Sequence, residues 1–193
     1  MSISSDIKTP NKNESLPGEV GIEEFVNFLK INSEIKKEVC NWWGLSRNNI
    51  KIHIFPFRTE SPILGCFIGN KRVAINSKGI DGIQPEMILF ALLHETRHSD
   101  QYDADEYHGE YFGAANRGDI DSFRRTYLNS EKDANSYAIS VMRDIGFDYF
   151  LDRQEKMIRK NEEAADIVYS MMRNDIEKHK VSTLMELVFK QIL

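Results

Sequence analysis

Five histidines occur in the chain, and two of them stand four residues apart in the run His94, Glu95, Thr96, Arg97, His98. On an α-helix these two positions lie one turn above the other, so both imidazoles project from one face and can converge on a single ion. Glu95 lies about 100° round the helix from His94. Its carboxylate can therefore reach a water held by such an ion without becoming a ligand. Zinc lowers the pKa of a bound water toward neutrality, and Glu95 can accept that proton as general base and return it to a departing amine as general acid. His53, His108 and His179 remain candidates for another role or for none.

A catalytic zinc normally takes three protein ligands and leaves one position to water, so the pair needs a third partner. The segment SEKDANSYA at 130–138 supplies the nearest acidic residues within a convincing helical pattern. Glu131 is the first choice as third ligand, because Ala134 and Ala138 permit close approach of a second helix. Asp133 is the competing choice, facing another direction on the same helix. Asp100, Asp103, Asp105, Glu106 and Glu110 form a further reservoir of ligands, or else the solvated negative rim of a cleft. Asn135, four residues beyond Glu131, either orients a ligand imidazole or carboxylate or bonds a nearby loop.

An HExxH run can arise by chance on a surface helix. Here it ends the apolar run PEMILFALL, which carries His94 into a core, with Pro85 at a first-turn position. The preceding residues read as the sheet on which such a helix packs. Segment 51–57 alternates until Pro56, and 63–76 reads as a strand pair with Gly69-Asn70 as a tight turn. The stretch 71–76 is expected either as a cleft-facing edge that binds an extended peptide by added-strand hydrogen bonds or as an internal strand.

Apolar positions from Ile22 to Val39 recur at helical spacing, with Asn32 and Ser33 able to divide them into two helices. Trp42 and Trp43 follow, read as a buried aromatic lid over the sheet in preference to an exposed platform. Between 103 and 129 the chain is polar, with a short helix expected around 107–115. A longer helix is expected over 130–145, capped by Ser130 and stopped by Gly146. Two or three packing helices are expected over 149–193, and a flexible arm over 1–18. The expected architecture is α+β, a small antiparallel or mixed sheet packed on an active-site helix. Residues 19–193 are expected to form one domain with a helical C-terminal region.

The 193 residues suffice for one well-buried core, and 41% hydrophobic with 28% charged residues is the balance of an ordinary globular protein. A net charge of -5 provides no global positive field for nucleic acid, which is a weak expectation as partner; the chemistry of the HETRH run makes a protein or peptide substrate the expected one. No stretch approaches the length of a transmembrane helix, and the first twenty residues lack a signal-peptide core. A cytoplasmic location is expected, with non-classical export left open. Cys40 and Cys66 belong to no paired-thiol motif and are expected as buried free thiols. No repeat, low-complexity tract or glycine-rich phosphate loop is present.

With HETRH and EKDAN on one chain, the sequence resembles the gluzincin zinc metallopeptidases, and within them the compact ImmA/IrrE-like branch. The likeness covers about 50–146. It implies a zincin-like fold, with His94, His98 and Glu131 binding Zn2+, Glu95 catalytic and Asn135 supporting a ligand. Arg97 stands where ImmA/IrrE-like domains commonly have Gly, and no helix-turn-helix signature accompanies the motifs. The expected function is a zinc-dependent endopeptidase. The alternatives are a zincin-like binding or regulatory protein with a structural metal, a metallohydrolase of other substrates, and a domain without metal.

Overall fold

The helical periodicity that begins at Ile22 divides in two in the computed structural model of the chain. A two-residue strand β1 (Glu19–Val20) leads into helix α1 (Ile22–Leu29), and helix α2 (Ser33–Ser46) follows. The structure describes residues 18–151 except 30, 32, 48, 58–63, 79, 81, 105 and 149. The expected arm up to 17 and the expected helices beyond 151 lie outside the described residues.

Strand β2 (Lys51–Phe55) forms from the alternating segment and stops at Pro56, which has no N–H to offer a ladder. Strands β3 (Gly65–Phe67) and β4 (Arg72–Asn76) form the expected antiparallel hairpin. Its turn is one residue longer than expected. Gly69, Asn70 and Lys71 all have positive φ, and Arg72 N–H closes the turn on the Gly69 carbonyl at 3.1 Å. The sheet is mixed, in the order β1-β2-β4-β3, with β2 and β4 parallel. Periodicity missed β1, which is too short to show an alternation.

This order corrects one expectation. Residues 72–76 are flanked by β2 and β3 and are buried throughout, so the stretch cannot be a cleft-facing edge. The parallel pairing of β2 with β4 occupies one side of β4 and the hairpin the other. Among the described residues β3 is the edge on this side. Ile68 N–H bonds the Arg72 carbonyl and Asn76 N–H the Leu64 carbonyl. In the antiparallel alternation this turns the main-chain groups of Gly65 and Phe67 away from β4.

Helix α3 (Pro85–Asp103) carries the HETRH run across the sheet. Its Leu89, Leu92 and Leu93 are fully buried with Ile52, Val73 and Ile75 of the sheet. At about 1.5–3 kcal/mol for each fully buried leucine, these contacts anchor the helix in one orientation. Helix α4 (His108–Arg117) is the short helix expected within the polar stretch. Helix α5 (Ile120–Ile145) begins ten residues before the expected start. Asp119 is its N-cap, accepting from Ser122 N–H at 3.1 Å. Ser130 lies inside the helix and donates to the Tyr127 carbonyl at 2.8 Å, so it is not a cap. Gly146 ends α5 at φ 101°, as expected.

Among the described residues, helices α3 and α5 are the most extensively packed pair of elements. Ala134 and Ala138 are both 0% exposed, so small side chains stand at buried positions along α5. Trp43 is buried in the main core, whereas Trp42 is half-buried against Tyr137 of α5. Both cysteines are free as expected, but they are partly exposed.

Candidate metal centre

Helix α3 presents His94 and His98 on one face, and α5 brings Glu131 to the same point. The His94 Nε2 and His98 Nε2 atoms are 3.0 Å apart, and Glu131 oxygens lie 3.3 Å from the first and 3.5 Å from the second. Bonds of about 2.0–2.1 Å in tetrahedral geometry would separate neighbouring donor atoms by about 3.3 Å. The two imidazole nitrogens and the carboxylate, which faces each of them with a different oxygen, are therefore close enough to share one ion. Side-chain exposures of 13%, 17% and 22% leave the group reachable from solvent.

The hydrogen bonds behind the imidazoles set their tautomers. His94 Nδ1–H donates to Asn135 Oδ1 at 2.9 Å, and His98 Nδ1–H donates to Gln101 Oε1 at 2.8 Å. Both Nε2 atoms of the neutral rings then carry lone pairs, and the Glu131 carboxylate can only accept. Three acceptors facing one another repel unless a cation lies among them.

Without a metal, that cation is a proton. Burial opposes the His98 imidazolium, but hydrogen bonding to Glu131, the Glu131 and Glu95 charges, and Gln101 together raise its pKa to about 9. Burial also opposes the Glu131 carboxylate, yet the hydrogen bonds and charges of His98 and His94 hold it well below the ordinary carboxylate range. A metal ion must displace the His98 proton. Zinc affinity should therefore rise about tenfold per pH unit from about pH 7 to about pH 9 and level off above it. Chelator-competition titrations across this range check the slope, and a flat response would show that zinc displaces no proton from His98 there. Stability of the metal-free protein runs the other way. The His98 contribution is complete below 6.5 and is lost as pH rises through about 9, while that of Glu131 is present above 4.5 and is lost in acid.

Glu95 faces the sheet. Its Oε2 accepts from the Phe67 N–H of β3 at 2.7 Å, one of the main-chain groups turned away from β4. Gly65 makes room for this contact, because a Cβ there would stand 3.1 Å from Glu95 Cγ and 3.3 Å from Ile75 Cδ1.

The competing ligands are engaged elsewhere. Asp133 accepts from Arg97 Nε at 2.7 Å and from Gln101 Nε2 at 2.8 Å. Asp100 pairs with Arg47, Asp103 with Lys71 and Glu106 with Arg97, so much of the supposed acidic rim is ion-paired. Glu110 is exposed, and Asp105 lies outside the described residues. Arg47 also donates to the Tyr137 hydroxyl and lies over the Trp42 and Tyr137 rings, tying the end of α2 to α3 and α5. Burial, with the charges of Glu95 and Glu131, pushes the Cys66 thiol well above its usual value and keeps it protonated.

Sequence reasoning missed Gln101, Gly65 and the Phe67 N–H. The spacing of His94, His98 and Gln101 along one helical stripe is the signal that could have found Gln101. Gly65 and Phe67 left none, since their roles depend on strand pairing.

Fold and site together define an α+β protein with a mixed four-stranded sheet and a His94, His98, Glu131 group able to hold a metal ion. No protein-family model, no curated protein and no solved structure matches the chain. Among the described residues no helix is long and apolar enough to cross a membrane.

Proposed function

We propose that this chain is a gluzincin-type zinc endopeptidase on a zincin-like fold, acting on protein or peptide substrates. The observation that carries this reading is the convergence of two imidazole lone pairs and a carboxylate on one point, beside a glutamate held by the sheet edge. Zinc held by these groups would polarise a water in the remaining position and lower its pKa toward neutrality.

The side chains divide the remaining work. Glu95 keeps Oε2 on the Phe67 N–H, which leaves Oε1 to take a proton from the attacking water and pass it to the departing amine. Asn135 and Gln101 hold the two imidazoles with Nε2 forward. An extended substrate would lie along the outer edge of β3, where the Gly65 main-chain groups and the Phe67 carbonyl face away from β4 and the Phe67 N–H stays on Glu95. A fourth protein ligand in a zinc-bound structure would instead make a structural metal the better reading.

Metal analysis after extensive dialysis, paired with cleavage of an unfolded protein substrate with and without a chelator, tests the proposal. About one zinc per chain and chelator-sensitive cleavage are expected. A zinc-replete sample that retains no metal at His94 and His98 would sink it. Gly65→Ala should lower turnover roughly tenfold with zinc content unchanged, because the added Cβ displaces Glu95 by tenths of an ångström. Unaltered kcat in that variant would show that the base needs no clearance at β3.

A further inference from the structure

We infer that Gln101 is a positioning residue for His98: its side-chain amide, oriented by Ser130 and Asp133, fixes the imidazole with Nδ1 protonated and Nε2 available to the metal. The inference rests on the metal-site reading above and extends it to a residue outside both sequence motifs.

Gln101 is 1% exposed, so its amide must find partners within the protein. Its Nε2 faces two groups that can only accept here, the Ser130 carbonyl at 3.0 Å and the Asp133 carboxylate at 2.8 Å. An amide NH2 can donate to both, whereas an amide oxygen in that place would meet two acceptors. The flip is therefore decided by chemistry, and Oε1 is left facing His98 Nδ1 at 2.8 Å. An amide oxygen accepts only, so Nδ1 must carry the proton. A second hydrogen bond to a ligand imidazole of this kind fixes ring orientation and tautomer.

Asp133 closes the chain. Its Oδ2 receives both Gln101 Nε2 and Arg97 Nε, and Arg97 in turn reaches Glu106 at 2.7 Å. The Arg97 charge balances Asp133, which lets a carboxylate sit beside the metal ligands without joining them. Two neighbouring residues of the HETRH run, about 100° apart around the helix, thus serve one site: His98 faces the metal position, and Arg97 anchors the group that orients the His98 partner.

The test is zinc competition against a chelator on the full chain, comparing wild type with Gln101→Met and Gln101→Glu. It is joined by NMR of the zinc-loaded proteins to follow the imidazole N–H protons. Gln101→Met keeps the length and removes the acceptor, and should weaken zinc binding about 10- to 100-fold. The protected Nδ1–H signal of His98 should be lost, while that of His94, held by Asn135, persists. Gln101→Glu keeps an acceptor for Nδ1–H but sets a carboxylate oxygen against the Ser130 carbonyl and the Asp133 carboxylate, and should weaken zinc binding as well. The wild-type spectrum preserves the test should either variant fail to fold, since a zinc-loaded wild type without a protected His98 Nδ1–H signal would overturn the inference. Zinc affinity of Gln101→Met within twofold of wild type, or equal loss of both histidine signals, would overturn it as well. No zinc uptake by wild type would reject the metal-site reading first and this inference with it.

Discussion

Glu95→Gln should leave zinc content at the wild-type level and lower turnover by about 10²- to 10⁴-fold, the range that a positioned acid-base group contributes. The metal should stay because the group able to hold it is His94, His98 and Glu131, and Glu95 instead bonds the Phe67 N–H. The substitution is also gentle in shape. A glutamine at this position can keep the Phe67 bond through its amide oxygen, which turns its NH2 toward the water. That group cannot accept a proton. Zinc analysis of the purified variant beside initial rates on an unfolded protein substrate checks both halves. Wild-type-like cleavage, after contaminating proteases were excluded, would end the assignment of Glu95 as base.

Glu131→Ala should weaken zinc binding by more than about 100-fold, beyond the loss caused by removing a group that only supports a ligand. The carboxylate faces both Nε2 atoms, so its removal leaves two imidazoles and no negative charge in the ligand set. Asp133→Ala should cost less, because Asp133 acts through Gln101 and Arg97. Chelator competition on the two variants ranks them. A zinc-bound crystal structure would then show which oxygen the metal meets and whether water holds the fourth position. Equal losses in the two variants would argue that α5 contributes shape and no ligand. The metal-free Glu131→Ala protein should also lose the raised His98 pKa, since the Glu131 hydrogen bond and charge are the largest causes acting upward. A histidine titration by NMR reads that change directly.

How far the site was legible follows from the range over which its geometry is set. Spacing of four on a helix places His94 above His98 whatever surrounds them, and the apolar run before them shows which way the helix enters the core. Glu131 with Asn135, and the small residues Ala134 and Ala138, likewise follow helical periodicity, so the second helix could be read in outline. Ser130 misled because a hydroxyl residue before an apolar pattern looks like a cap. Its hydroxyl instead turns back on the Tyr127 carbonyl within a helix that had begun at Asp119. The strand character of 72–76 was plain, but its place in the sheet was not.

Local spacing thus determined the two histidines, the neighbouring glutamate, the acidic second helix and the α+β class, because helix and strand periods are properties of the backbone alone. Only tertiary structure decided that Glu131 rather than Asp133 meets the histidines, since that choice depends on how α5 lies against α3 and on Arg97 drawing Asp133 aside. The strand order β1-β2-β4-β3 was decided in the same way. Pairing partners distant in sequence buried β4, left β3 at the edge and set the Phe67 N–H against Glu95, and no periodicity along the chain encodes which strand another strand will choose.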